Sequence, residues 1–478
     1  MESSTAFGPK LESLAREAPT APAVTCADAT LSRQQLEART NQLARAFLAR
    51  GAKPDTCVTI ALPNSIAYIE AMIAAWKIGA IPQPLSARLP PVELEAIVEL
   101  AAPSLLVTEK SNFEPLERWS ADPLPVAIAK SFKAPASGGS TGRPKIILSM
   151  TPATVELVSG FAGATGVPEN GTQLITGPLY HNGPFTSAAV GILRGNHVVI
   201  MPRFDARQAL ELAATHRVNW IYLVPTMMHR IWRLDPEVRL SFDLSALATV
   251  FHLAAPCAEW LKRAWIDWLG ADRILELYGG TENQALTLIT GREWLERPGS
   301  VGRPILGEIM IRDSNGEPVQ PGTVGEVWMR RGAQAAPVYQ YIGAKAKAVG
   351  AADGGAPWES LGDMGCIDDA GYLFLSDRQA DMILVGGANV YPAEVEAAID
   401  EFPEVQSSCV VGLPDEEYGN TIHAIVQAKS ISIDALRDHL AQRLVAYKRP
   451  RTFELVSEPL RGDDGKVRRS ALRAARLG

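Results

Sequence analysis

Short apolar runs rich in β-branched residues recur through this chain, at residues 57–62, 104–108, 197–201, 220–224, 249–253 and 273–277. Between several of them lie amphipathic stretches, such as 205–216 and 258–269, whose apolar positions repeat at the helical spacing. That alternation predicts parallel strands buried under helices. The most apolar long segment, 66–81, carries Glu70 and Lys77 and is too short to cross a bilayer, so it predicts a buried helix and no membrane span. No repeat of fixed period is apparent.

The texture changes after about Arg303. Residues 309–312 and 325–330 alternate between turns rich in Gly, Pro, Asn and Asp, which predicts a small antiparallel unit. From Asp381 a compact segment follows: strand 382–385, helix 392–402, strands 408–413 and 423–428, and helix 432–444. The short polar stretch 376–381 reads as a hinge. The expected fold class is therefore α/β. A large N-terminal domain, 1–378, holds two helix-covered parallel sheets plus a small β-barrel unit, and a small α+β C-terminal domain spans 381–478.

Composition narrows the function classes. A hydrophobic content of 47% with 21% charge is that of a globular protein with large cores. A formal net charge of −7 argues against a nucleic-acid partner, which needs a basic face. The first residues show no basic-then-apolar leader. The five cysteines are scattered without C-x-x-C spacing, which suits reduced thiols in a cytoplasmic protein better than disulfides or a zinc site.

Candidate chemistry begins with Ser137-Gly-Gly-Ser-Thr-Gly-Arg-Pro-Lys145, a loop of backbone N–H groups, hydroxyls and a cation suited to a polyphosphate. It is not a Walker loop, because proline precedes Lys145 and isoleucine follows it. Tyr278-Gly-Gly-Thr-Glu282 directly follows an expected strand, so its polar groups emerge at a strand's C-terminal end. Its ring can stack on a purine, its hydroxyl can reach a phosphate, and its carboxylate can hold Mg²⁺. Asp363 lies in Leu361-Gly-Asp-Met-Gly365 and suits a pair of ribose hydroxyls, while Arg378 offers a planar donor fork. Gly386 and Gly387 permit close backbone approach, and Lys466 sits in Asp464-Gly-Lys-Val-Arg-Arg469.

In identity, order and spacing these motifs resemble the adenylate-forming superfamily of acyl-CoA synthetases, adenylation domains and luciferases, from about Leu14 to Leu472. The resemblance implies that Ser137, Gly138, Gly139, Ser140, Thr141, Gly142 and Lys145 hold the β- and γ-phosphates of ATP. Ala254, Ala255 and Pro256 would line the adenine, with Tyr278 stacked on it. Thr281 would contact the α-phosphate, Glu282 would bind Mg²⁺, and Asp363 and Arg378 would hold the ribose. Lys466 would bridge the substrate carboxylate and the α-phosphate. After adenylation the small domain would rotate, replacing the Lys466 face by the Gly386–Gly387 face, which would line the passage for CoA. Two positions depart from the pattern: Ala380 at the hinge, and Ala134-Pro-Ala136 before the loop, where an aromatic and Thr-Ser are usual.

The segment Pro178–Pro184 resembles the family's acyl-pocket gate, matched by His181, and Trp220, Val224, Met227, Met228, Gly279 and Gly280 are candidates for the pocket wall. None carries a charge, which argues against an amino-acid substrate. Gly280 and two adaptable methionines suit a bulky apolar acid, most like the terpenoid or sterol-type acids of some members. The expected activity is an AMP-forming acyl-CoA ligase using ATP, Mg²⁺ and CoA, as a monomer or homodimer. Transfer to a carrier-protein phosphopantetheine and a non-catalytic adenylate-binding homologue are the alternatives, and no carrier domain follows Lys466 in the sequence.

Overall fold

The helix expected over 66–81 forms as Ile66–Lys77, and its two charges are matched by the neighbouring helix Arg33–Ala49. Ser65 caps it by accepting from the Tyr68 amide. Glu70 pairs with Arg39, while Lys77 reaches Glu37 at 2.7 Å and Asn41 at 2.6 Å. Both charges are thereby compensated inside an otherwise apolar layer. The computed structural model describes residues 5–138, 144–415, 417–462 and 465–477. Among them no helix is long and apolar enough to cross a membrane.

Ile66–Lys77 packs on a small parallel sheet in the order Ile81–Pro84, Cys57–Ala61, Leu105–Thr108. A far larger sheet contains the remaining expected parallel strands. Its parallel half runs Pro22–Cys26, His197–Ile200, Thr172–Ile175, Trp220–Leu223, Thr249–Leu253, Ile274–Gly279. From there pairing turns antiparallel through Leu286–Thr290, Ser300–Leu306, Leu373–Arg378, Trp358–Ile367 and Gly325–Arg330 to Glu308–Arg312. The parallel strands all end on one edge, the place where open α/β sheets bind ligands.

The β unit expected beyond Arg303 is antiparallel, but it does not close into a barrel. Its inner strands pair onward through Leu286–Thr290 into the parallel half, so their hydrogen bonds continue the large sheet and Glu308–Arg312 is left as an open edge. Nor does Gly325–Arg330 alternate in exposure: all six residues are buried. Its polar members are paired, Glu326 with Lys347 and Ser360, and Arg330 with Glu308 and Asp353.

A third, three-stranded sheet joins Ala136–Gly138, Pro144–Ser149 and Tyr339–Ile342. Ser137 lies opposite Lys145 in register, so the two ends of the candidate phosphate segment lie on paired antiparallel strands. The unusual lead-in runs into the strand at Ala136 and is held by backbone bonds: the Ala134 amide donates to Pro82 O and the Pro135 carbonyl accepts from Ile147. Gly139, Ser140, Thr141, Gly142 and Arg143 lie outside the described residues.

Leu373–Arg378 is the last strand of the large sheet, and the small C-terminal unit opens with the hairpin Ile383–Val385 and Ala388–Val390. Gly386 and Gly387 form its two-residue turn with φ of +55° and +85°, the combination that glycine adopts without strain. Helix Pro392–Asp400 and the sheet Ser407–Asp415, Gly419–Gln427, Thr452–Val456 enclose a separate core around Val395, Ile399, Val410 and Leu436.

Candidate active site

At the shared edge, Ile274–Gly279 runs into a tight turn whose ends are joined by the Asn283 amide and the Gly280 carbonyl at 3.1 Å. Thr281 and Glu282 occupy its centre. A side chain at either glycine before them would have to displace its neighbours. A Cβ on Gly279 would lie 2.4 Å from Leu286 Cδ2, and one on Gly280 would lie 2.3 Å from Leu361 Cδ1 and 2.9 Å from Glu282 Oε2. The space left by Gly280 is therefore filled by Leu361 and Glu282.

Glu282 is 5% exposed, and two groups converge on its Oε1: Lys145 Nζ at 3.5 Å and the phenolic O–H of Tyr341, which donates to it. The Lys145 ammonium also stands 4.0 Å from the centre of the Tyr341 ring. Burial first, then the neighbouring Glu282, pushes the Tyr341 phenol far above its ordinary value, so it remains a donor. Behind this trio, Tyr339 O–H donates to Glu359 at 2.9 Å and Gln284 Nε2 donates to the same oxygen at 2.7 Å. Tyr339 and Tyr341 pack edge to face, with centroids 4.8 Å apart.

A second cluster lies across the same turn. Tyr278 O–H donates to Asp363 Oδ2 at 2.8 Å, and Arg378 Nε lies 3.3 Å from Asp363 Oδ1. Asp363 and Arg378 face each other in register on adjacent antiparallel strands. Burial, aided by Asp363, holds the Tyr278 phenol well above its ordinary range. Ala254 takes a left-handed φ of +76°, a conformation that non-glycine residues rarely adopt and that concentrates at functional sites. It starts the Ala254–Pro256 segment at the end of Thr249–Leu253.

The Lys466 loop belongs to the small domain, yet it docks here. A Cβ on Gly465 would lie 2.3 Å from Thr226 Oγ1 and 3.1 Å from Val224 Cγ2, at the end of Trp220–Leu223. Gly386 and Gly387, by contrast, are exposed at their hairpin tip, with Gly386 beside Tyr418.

The candidate pocket residues separate. His181 immediately precedes helix Asn182–Leu193, its ring 4.3 Å from that of Tyr180. Val224 and Met227 are buried beside the docking point, and Met227 Sδ accepts from Thr176 Oγ1 at 3.2 Å. Met228 is fully buried, with its carbonyl taken by Trp265. Trp220 lies in the core, stacked on Phe251 at 5.1 Å with its indole N–H donating to Thr165 O.

A model of the AMP-binding enzyme family matches residues 11–134 and 135–340, and one of the AMP-binding enzyme C-terminal domain matches residues 394–462. The chain belongs to the AMP-binding enzyme family. Its relatives include a feruloyl-CoA synthase from an Amycolatopsis species, 31% identical over 96% of each chain. Another is a fatty acid–[acyl-carrier-protein] ligase, ScoC, from Streptomyces coeruleorubidus, 30% identical over 96% of this chain and 94% of ScoC. The fold matches o-succinylbenzoate CoA synthetase from Bacillus subtilis bound to its acyl-adenylate, with a TM-score of 0.80, 23% identity and 97% of each chain covered.

The structure brings Glu282 together with Lys145, and Tyr278 with Asp363 and Arg378, and adds Tyr341, Tyr339 and Glu359, which no motif singled out. The strand Tyr339–Ile342 bears no motif. Its alternating aromatics, Tyr339 and Tyr341, were the available signal, since residues two apart share a strand face.

Proposed function

We propose that the protein uses ATP to convert a carboxylic acid to an acyl-adenylate, and then passes the acyl group to the thiol of CoA with release of AMP. The observation that carries this reading is the meeting, at one sheet edge, of Lys145 with Glu282 and of Tyr278 with Asp363 and Arg378, while Gly465, next to Lys466, packs on Thr226 and Val224 at the end of another strand of that sheet. A carboxylate attacking an α-phosphate brings two anions together, and a bridging cation stabilises the developing charge. Lys466 would supply that cation, and Lys145 with the Ser137–Lys145 loop would take the departing pyrophosphate. Ser137 Oγ is buried beside that loop with no hydrogen-bond partner among the described residues, an O–H able to donate to a phosphate oxygen. Asp363 and Arg378 would hold the ribose. The Tyr278 hydroxyl is tied to Asp363, which fixes its ring for a purine.

Glu282 fits a magnesium ligand, because its carboxylate is buried and shared by a cation and a phenol, both of which can yield to a metal. Mg²⁺ held there would neutralise charge on the pyrophosphate. For the second half-reaction the small domain would turn, bringing Gly386 and Gly387 to the site.

CoA is the acceptor we place first, with the feruloyl-CoA synthase relative in support; ScoC supports a carrier-protein acceptor as the second reading. For the acid, the wall of Val224, Met227 and Met228 is apolar and uncharged. A polycyclic, terpenoid- or sterol-type acid rests on the adaptability of those methionines, since the space at Gly280 is already filled. Mass spectrometry of incubations with ATP, Mg²⁺ and either CoA or a phosphopantetheinylated carrier, over a polycyclic acid, benzoate and palmitate, tests both points. The expected products are acyl-CoA and AMP, with the polycyclic acid fastest. Acylation of the carrier alone would transfer the activity to that acceptor, and fastest turnover of benzoate would overturn the acid class.

A further inference from the structure

The helix Pro225–Trp232 of the large domain is touched by the small domain at both ends. At its start, Thr226 and Val224 receive Gly465, next to Lys466. Just past its end, Arg233 Nη2 donates to the Asp400 carbonyl at 2.6 Å and to the Phe402 carbonyl at 2.9 Å. Both carbonyls lie at the C-terminal end of the small-domain helix Pro392–Asp400, where backbone acceptors lack helical partners and the helix dipole favours a cation. Trp260 Nε1 adds a bond to the Ala397 carbonyl at 3.3 Å, on the same helix end. His229 supports the guanidinium: its Nε2 accepts from Arg233 Nε at 3.1 Å, and burial followed by the Arg233 charge holds the imidazole neutral, with its pKa pushed down to about 4. The His229 ring packs edge-on against Trp260 at 5.5 Å.

An eight-residue helix is roughly 12 Å long. Two anchors that far apart leave only turning about the line between them, which the Trp260 bond to Ala397 opposes, whereas either alone would leave a free pivot. We propose that Arg233, braced by His229 and Trp260, is a positioning residue for the first half-reaction: it clamps the end of Pro392–Asp400 and so holds the small domain in the orientation that presents Lys466. Arg233 touches no reacting group. It acts through Lys466, and it must release for the small domain to turn. The proposal rests on the acid-activating reading above.

Arg233→Met removes the donor fork and keeps the apolar stem; Arg233→Lys keeps a cation at the helix end. Loss of a charge-assisted pair of bonds predicts that pyrophosphate exchange in Arg233→Met falls about 10- to 100-fold. Thioester formation from supplied acyl-adenylate is expected to hold or rise, Arg233→Lys to recover part of the exchange rate, and Trp260→Phe to show the same split more weakly. Equal loss in both half-reactions, or no loss in either, would overturn the clamp. A substrate-free measurement keeps the proposal separate from the activity itself. Nitroxides on Ser241→Cys and Asp438→Cys, both exposed and on different domains, are expected to give one narrow distance by pulsed dipolar spectroscopy, broadened or shifted by Arg233→Met. An unchanged distribution would overturn the clamp even if no tested acid were activated.

Discussion

Replacing Gly280 by alanine separates two accounts of that position. If its missing side chain enlarges the acyl pocket, Gly280→Ala should disturb only the acid. The structure assigns the space elsewhere, since the new Cβ would stand 2.3 Å from Leu361 Cδ1 and 2.9 Å from Glu282 Oε2. Carbon–carbon contacts are comfortable only near about 3.5–4.0 Å, so Leu361 must retreat by roughly an ångström or more. Leu361 stands two residues before Asp363 on the same strand, and Glu282 is the expected metal ligand, so both halves of the proposed nucleotide site would shift. Overpacking of this kind costs about 1–3 kcal/mol, which corresponds to roughly a 5- to 150-fold loss in apparent MgATP affinity. Pyrophosphate exchange measured against MgATP at saturating acid, and against acid at saturating MgATP, reads the two effects apart. A rise in KM for MgATP, relieved by adding Leu361→Ala, is the expected result. An unchanged KM for MgATP, with a loss confined to larger acids, would refute the packing argument.

Tyr341→Phe deletes the O–H donated to Glu282 but keeps the ring under Lys145, so the buried carboxylate loses a donor and urea unfolding should show a loss of about 1–3 kcal/mol; an unchanged midpoint would mean that this bond carries no weight. Gly465→Ala would force a Cβ against Thr226 Oγ1 and should slow adenylation more than thioester formation, with partial recovery in the double variant carrying Thr226→Ala; no recovery would mean that the clash is not the cause. His252 is fully buried, and burial foremost pushes its pKa down to about 4. The unfolded chain therefore binds a proton the folded chain refuses between about pH 6.5 and 4, and His252 contributes roughly 3 kcal/mol above that window that is lost as pH falls through it. Urea midpoints at pH 7 and pH 4.5 should differ less in His252→Gln than in the unmodified protein, and an identical difference would contradict this.

What the sequence made legible was local or motif-borne. The buried helix Ile66–Lys77 was readable from its apolar run, although the partners of its charges, Arg39 and Glu37, come from another helix. Gly386–Gly387 announced a turn, and the hairpin supplies it. Tyr341 was missed because its approach to Glu282 depends on a strand pairing with Pro144–Ser149, nearly two hundred residues earlier in the chain. The barrel expectation failed for a related reason: alternation reveals strands but not whether their outer edges meet. An absent side chain at Gly280 says nothing about which neighbour fills the space, and the apolar run placed Trp220 on a strand without fixing its face.

The central claim, that Lys466 serves acid activation at this site, is tested most directly by assaying the two half-reactions in Lys466→Ala. Acid-dependent exchange of labelled pyrophosphate into ATP should be present in the unmodified protein and lost from the variant. Thioester formation from supplied acyl-adenylate should persist in both. Undiminished exchange in Lys466→Ala, or equal loss of both half-reactions, would contradict the account.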